Sequence, residues 1–160
     1  VNASPLPADD ATDDRWCMAV RLLNRMEQRL DEALRHRHAL PLSEYRAMCA
    51  LSRPESADGL RMGELAERIG MKDSSVTRLV ARLELQGLAE RVPGARSGTD
   101  SADGRAVSAQ VTEAGRERYA AATPTYRAAL GAELDAARTN PYLADLATWV
   151  RAADAGAQTT

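Results

Sequence analysis

The run from Met62 to Gly87 constrains this chain more than any other part of it. Leu65, Ile69, Met71, Val76 and Leu79 fall at spacings that let two short helices, crossing steeply, share one apolar seam. Ala66 leaves room for the helices to approach, and Gly70 supplies the permissive backbone that a three- or four-residue turn requires. The second helix keeps a face that the seam does not use, carrying Ser74, Ser75, Thr77, Arg78, Arg82 and Gln86. Short hydroxyls and guanidinium forks suit phosphates and base edges in a major groove. An ordinary helical hairpin in a core has no use for such a face in register with a turn glycine and a small crossing residue. The run therefore reads as a DNA-reading helix-turn-helix. Its second helix is capped by Lys72 or Asp73, of which only Asp73 is a favoured N-cap residue.

A chain of 160 residues holds one ordinary domain, or a small one with helical extensions. It contains no Phe, so its core is built from Leu, Ala, Val and Met, a helical composition. The net charge of -2 excludes the uniformly basic surface of a non-specific nucleic-acid coat but not a specific reader, whose local field is what matters. Abundant Arg with Lys72 as the single lysine points to a GC-rich coding sequence. The sequence shows no charged-then-apolar leader and no bilayer-spanning run, and the expectation is a cytoplasmic bacterial protein without membrane contact. Cys17 and Cys49 lie within apolar helical patterns, which does not indicate a secreted disulfide framework.

Residues 1–12 read as a flexible leader, with Pro5, Pro7 and no periodicity, and 13–156 as a single domain. A long first helix starts at Asp13 or Asp14 and ends on Arg35, His36, Arg37 and His38, the charge order that a helix dipole prefers. Its apolar stripe is Trp16, Ala19, Val20, Leu23, Met26, Leu30 and Leu34. After the break at Leu40 and Pro41, Ser43 is a candidate cap for a second helix with Tyr45, Met48, Cys49 and Leu51, followed by a loop from Arg53 to Gly59. Gly87 ends the second helix of the helix-turn-helix. Ala89–Val92 and Ala106–Val111 read as the two strands of a wing, joined by a tip rich in Gly, Ser, Thr and Asp. Thr112 caps a further long helix that Pro124 must kink or divide, and Asn140-Pro141 starts the last one. The fold class is mostly α with a small two- or three-stranded β wing. A lobe over 43–111 is flanked by helices over 13–38 and 112–154. The flanking helices carry more apolar face than the lobe can cover, so they pack on one another or on a partner chain.

These motifs resemble the multiple-antibiotic-resistance regulator (MarR) family of winged helix-turn-helix proteins. The resemblance rests on the helix-turn-helix, then Leu83 to Arg91, a wing ending Asp103-Gly-Arg-Ala-Val107, and Val111-Thr-Glu-Ala-Gly115. It implies a homodimer whose terminal helices interlock, bound to double-stranded DNA at a pseudo-palindrome and released by a small ligand or oxidant. The expected function is transcriptional regulation, in the family's usual sense a repressor. Ser74, Ser75, Thr77, Arg78 and Arg82 then enter the major groove, and Arg105, oriented by Asp103, meets the narrow minor groove. The chain departs from the family pattern in a longer wing loop, where Arg96 is a candidate extra phosphate contact, and in Lys72 at a position where a capping hydroxyl is common.

For the switch, the placement of Cys17 and Tyr45 near the starts of the first two helices is similar to that in the hydroperoxide-sensing branch of the family. A helix N-terminus favours a thiolate, while the neighbouring Asp13 and Asp14 oppose it. Cys17 is thus a candidate redox site or a small hydrophobe. A second candidate is a pocket for an anionic or phenolic effector lined by Trp16, Tyr45 and Arg46. His36 and His38, two apart on a helix, do not face the same way and are not read as a metal site. No phosphate loop, nucleophile and base pair or metal spacing marks an enzyme, and no cofactor is expected. A winged helix that binds protein instead of DNA is the remaining rival.

Overall fold

The computed structural model describes residues 10–93 and 107–156, with side chains over 13–93 and 107–152. The wing-tip residues Arg96, Asp103 and Arg105 lie outside the described residues. In chain order the elements are α1 (Asp10–His38), α2 (Leu42–Leu51), a 3-10 turn (Pro54–Ser56), β1 (Leu60–Arg61), α3 (Met62–Ile69), α4 (Asp73–Leu85), β2 (Ala89–Pro93), β3 (Val107–Val111), α5 (Glu113–Arg138) and α6 (Ala144–Gly156). The fold is mostly α with a three-stranded antiparallel sheet of order β1-β3-β2. Two compact units are present, one from Leu34 to Thr125 and one combining the chain up to Ala33 with that from Tyr126 onward. The unit around the helix-turn-helix therefore takes in more chain than the expected 43–111.

Inside that lobe, Leu34, Leu40, Met48, Leu65, Val76, Leu79, Val80 and Leu83 are fully buried, so the predicted seam lies at the core. Ile69 and Met71, assigned to the same seam, are only half-buried. Both helices of the motif end in a left-handed glycine, Gly70 at φ 67° and Gly87 at φ 70°. At the first, Met71 N–H bonds Ala66 O at 2.9 Å and Gly70 N–H bonds Glu67 O at 3.2 Å; at the second, Leu88 N–H bonds Leu83 O at 2.8 Å and Gly87 N–H bonds Glu84 O at 2.9 Å. This is the Schellman pattern, which satisfies the last carbonyls of each helix. Pairing Ala89 with Val111 and Pro93 with Val107 forms the wing hairpin. The two-residue strand β1, inside a stretch too short to show alternation, pairs Leu60 with Ala109.

The start of α5 is sewn to the end of α4. Thr112 N–H donates to Leu88 O at 3.1 Å. The Thr112 hydroxyl donates to Gly87 O at 2.6 Å and accepts from Gly115 N–H at 3.1 Å, so it caps α5 as expected. A Cβ on Gly115 would stand 2.1 Å from Leu88 O and 2.6 Å from Val111 Cγ2, so this close approach requires glycine.

Several expected boundaries move. Ser43 does not cap α2, since the helix starts at Leu42 with Pro41 at the N-cap. Lys72, not Asp73, is the N-cap of α4, without a side-chain cap bond. α1 begins at Asp10, before Asp13. α5 runs undivided through Pro124. Asn140 accepts Tyr142 N–H at 2.9 Å in a turn of its own, and α6 follows only at Ala144.

In the second unit, Leu134, Ala137, Leu143 and Ala147 are buried and packed with Leu22, Met26, Leu130 and Val150. Arg29 pairs with Glu133 at 3.0 Å, and Arg151 with Asp135 at 2.7 Å. Much of the expected α1 stripe remains uncovered: Trp16 is 69% exposed, with Val20 and Leu23 also open, and Tyr142, Leu146 and Trp149 are exposed on or just before α6. Among the described residues no helix is long and apolar enough to cross a membrane.

Gly115→Ala is expected to destabilise the lobe by roughly 1–3 kcal/mol through overpacking against the Leu88 carbonyl. Gly131→Ala, in the same helix with nothing near its Cβ position, should gain about 0.5–1 kcal/mol. Chemical denaturation of both variants checks the pair, and equal effects would remove the close-approach argument.

Candidate nucleic-acid interface

α3 is short and starts cleanly because the Glu64 carboxylate accepts Arg61 N–H at 3.0 Å. After the Gly70 turn, the Lys72 carbonyl accepts Ser75 N–H at 2.9 Å and Val76 N–H at 3.0 Å to open α4. The apolar residues Val76, Leu79, Val80 and Leu83 turn one side of α4 into the core. Ser74, Thr77, Arg78 and Arg82 are exposed and Ser75 is half-buried, so the structure brings together the five α4 residues that the sequence singled out.

Their bonding differs along the helix. Ser74, Ser75 and Arg78 make no side-chain hydrogen bond or ion pair among the described residues. The Thr77 hydroxyl donates back to Asp73 O at 3.0 Å and its carbonyl accepts from Arg91 Nη2 at 3.2 Å. Arg82 Nε lies 3.4 Å from Glu44 Oε1, and Gln86 Nε2 donates to Glu44 Oε2 at 3.3 Å. Glu44, on α2, is buried, with its side chain 5% exposed. Arg91 on β2 meets Glu84 twice, Nη1 to Oε2 at 3.0 Å and backbone N–H to Oε1 at 3.1 Å. This ties the wing to the back of α4 and answers the Glu84 charge. Neither Glu44 nor Arg91 had been assigned a role from sequence. The Arg91 pair follows a seven-residue spacing across a turn, and Glu44 reaches partners 38 and 42 residues away with no local pattern to announce it.

The MarR family model matches residues 40–105, the segment that holds this helix-turn-helix and the first strand of its wing. Over this segment the chain is similar to the MarR family.

The MarR fold extends over nearly the whole chain. AbsC, a MarR family transcriptional regulator from Streptomyces coelicolor, is 19% identical with a TM-score of 0.68, covering 98% of this chain and 100% of its own. Sco3205, from the same organism and solved in complex with DNA, is 24% identical with a TM-score of 0.70, covering 99% and 95%. CouR from Rhodococcus jostii RHA1, bound to p-coumaroyl-CoA, is 23% identical with a TM-score of 0.63, covering 78% and 80%. No curated protein matches the chain in sequence.

The residues suggested for sensing divide between the two units, Trp16 and Cys17 in the helical one and Tyr45 and Arg46 in the lobe. Trp16 stands exposed in the helical unit, while Tyr45 is buried in the lobe. Tyr45 donates to Thr123 Oγ1 at 3.3 Å and its ring lies 5.2 Å from that of Tyr119, so it acts as a core residue. A cavity of about 620 Å³ in the lobe, lined by Glu55, Asp58, Glu64, Glu67, Arg61 and Arg68 among others, and one of about 120 Å³ in the helical unit include none of Trp16, Tyr45 and Arg46. Cys17 is exposed but stands two turns inside α1, which starts at Asp10. The field of a helix end fades within the first turn, so the placement expected for Cys17 near a helix start is not met. His38 Nε2 is 2.8 Å from Thr125 Oγ1, and His36 is exposed. Among the described residues no group of three or more His, Cys, Asp or Glu side chains is placed to hold a metal.

Cys49, read as core, is half-buried and accepts the Tyr119 hydroxyl at 3.4 Å. Burial raises the Tyr119 pKa well above its ordinary value, and the Cys49 contact and Tyr45 add to the rise while Thr123 opposes it. The neutral hydroxyl is thus favoured by folding. Its contribution is complete below pH of about 10, where the unfolded tyrosine titrates, and is lost as pH rises toward the folded value. Stability of the lobe is expected to fall above that pH, with a shallower fall in Tyr119→Phe. Denaturant midpoints across alkaline pH check this, and parallel profiles for the two proteins would exclude it.

Proposed function

We propose that this chain is a ligand-responsive, dimeric repressor that places α4 in the major groove of a pseudo-palindromic operator. The observation that carries this reading is the outer face of α4: Ser74, Ser75 and Arg78 stand on a helix whose other side is buried through Val76, Leu79, Val80 and Leu83, and no group among the described residues engages their side chains. Hydroxyls and a guanidinium in this state are suited to phosphates and base edges. The relative solved with DNA supports the reading by its fold. Thr77 adds its methyl and hydroxyl to the same face. The wing supplies Arg105, oriented by Asp103, to the minor groove and Arg96 to a phosphate. A two-fold protein matches a two-fold site. The uncovered side chains of Trp16, Val20, Leu23, Leu146 and Trp149 form the contact between copies, since an apolar patch of this extent is otherwise rare on a monomer. The effector is a small anionic or phenolic molecule, a class that includes the ligand of the CouR relative.

Arg78→Ala should weaken binding and reduce the slope of log affinity against log salt by about 1 if the residue meets a phosphate, or relax base preference at one position if it meets a base. Fluorescence anisotropy on duplexes recovered by random-sequence selection measures both, and a variant identical to the parent on both counts would remove α4 from the interface. For the dimer, Trp16 and Trp149 are the only tryptophans. Dilution should shift their emission to the red as the copies separate, in step with mass from light scattering. A monomer at every concentration would refute the dimer.

A further inference from the structure

We propose that Glu44 is a positioning residue for DNA binding, which anchors Arg82 through its Nε and turns the terminal nitrogens of that guanidinium into an oriented phosphate contact. The inference rests on the reading of α4 as the DNA-reading helix and assigns a role to a residue outside that helix.

Glu44 is an acidic side chain buried in the lobe, 3% exposed as a residue, between α2 and the last turns of α4. A buried carboxylate is costly unless it is paired and hydrogen-bonded. Both of its oxygens are used, one toward Arg82 Nε at 3.4 Å and the other toward Gln86 Nε2 at 3.3 Å. The Arg82 side chain is nevertheless 52% exposed, and its Nη1 and Nη2 have no partner among the described residues. A guanidinium is planar, so fixing Nε fixes the plane in which the other two nitrogens lie. Arg82 shares a face with Ser74 and Arg78, at steps of four along α4. Its free end is thus held on the edge of the reading face by a charge beneath it. A long cation that is already ordered loses less freedom on meeting a phosphate than a free one does.

A purely electrostatic view and the positioning view predict opposite signs for Glu44→Gln. Removing a negative charge from a DNA-binding lobe should strengthen binding if only net charge matters. Loss of the anchor should weaken it.

The experiment is anisotropy at several salt concentrations, on a duplex recovered by random-sequence selection, for the full chain and for Glu44→Gln, Arg82→Gln, the double variant, Arg82→Lys and Arg78→Ala, with thermal unfolding of each. Arg82→Gln should reduce the salt slope by about 1. Glu44→Gln should keep the slope and weaken binding severalfold, and the double variant should bind no worse than Arg82→Gln. Arg82→Lys, which keeps the charge but lacks Nε, should lose affinity as Glu44→Gln does while keeping the slope, and it tests the anchor even where Glu44→Gln fails to fold. Stronger binding by Glu44→Gln, additive losses in the double variant, an unchanged slope for Arg82→Gln, or parental binding by Arg82→Lys would each overturn the proposal. If Arg78→Ala weakens binding while these hold, only the role of Glu44 fails. If Arg78→Ala is also silent, the DNA reading of α4 itself fails.

Discussion

The backbone of Leu88 is the point on which the lobe depends. Its N–H closes the turn that ends α4, and its carbonyl receives the Thr112 N–H that starts α5. Gly115 comes so close to the same carbonyl that no side chain fits between them. Three elements leave this point: α4 behind it, β2 ahead of it and α5 across it. Because both polar groups of one buried residue are used in these joints, none of the three can shift without leaving an unsatisfied donor or acceptor. The aim of α4 is therefore set at its C-terminal end by backbone bonds, before any side chain on its outer face is considered.

Two charge pairs extend that control along the helix. Arg91 connects β2 to Glu84 and to the Thr77 carbonyl, so wing and helix share a bonded side. Glu44 takes Arg82 and Gln86 on the side of α2. The exposed Arg91 pair adds little stability by itself, as surface pairs do. The buried carboxylate differs, since removing its partner would strand a charge in the core. Together they leave α4 with an anchored C-terminal half and an N-terminal half whose Ser74, Ser75 and Arg78 side chains have no partner among the described residues.

What could be read from sequence follows from how local each signal is. The helix-turn-helix, the wing strands and the Thr112 cap are encoded within a few residues by Ala66, Gly70, Gly87 and Thr112, whose roles depend on backbone geometry nearby. The short strand β1 shows no alternation because it has two residues, and it exists only because β3 passes alongside. The cap expected at Ser43 was misplaced because a favourable side chain does not act as a cap when the helix starts earlier, after Pro41. Cys17 lost its helix-end argument when α1 proved to start at Asp10. Tyr45 was taken for a pocket residue since an aromatic near a helix start looks available, whereas its ring packs against Tyr119, far along the chain. Glu44 could not be singled out because its partners come from another helix.

The division of α4 bears on how such a protein diversifies. Ser74, Ser75 and Arg78 make no side-chain bond among the described residues, so exchanging them costs the fold little. Leu88 and Gly115 hold the frame through backbone bonds and close packing that involve none of those three side chains. A duplicated copy of this gene can change the chemistry of its outer α4 face through a handful of surface codons while its frame stays under unrelenting selection, and surface chemistry and foldability thereby become separately inheritable traits.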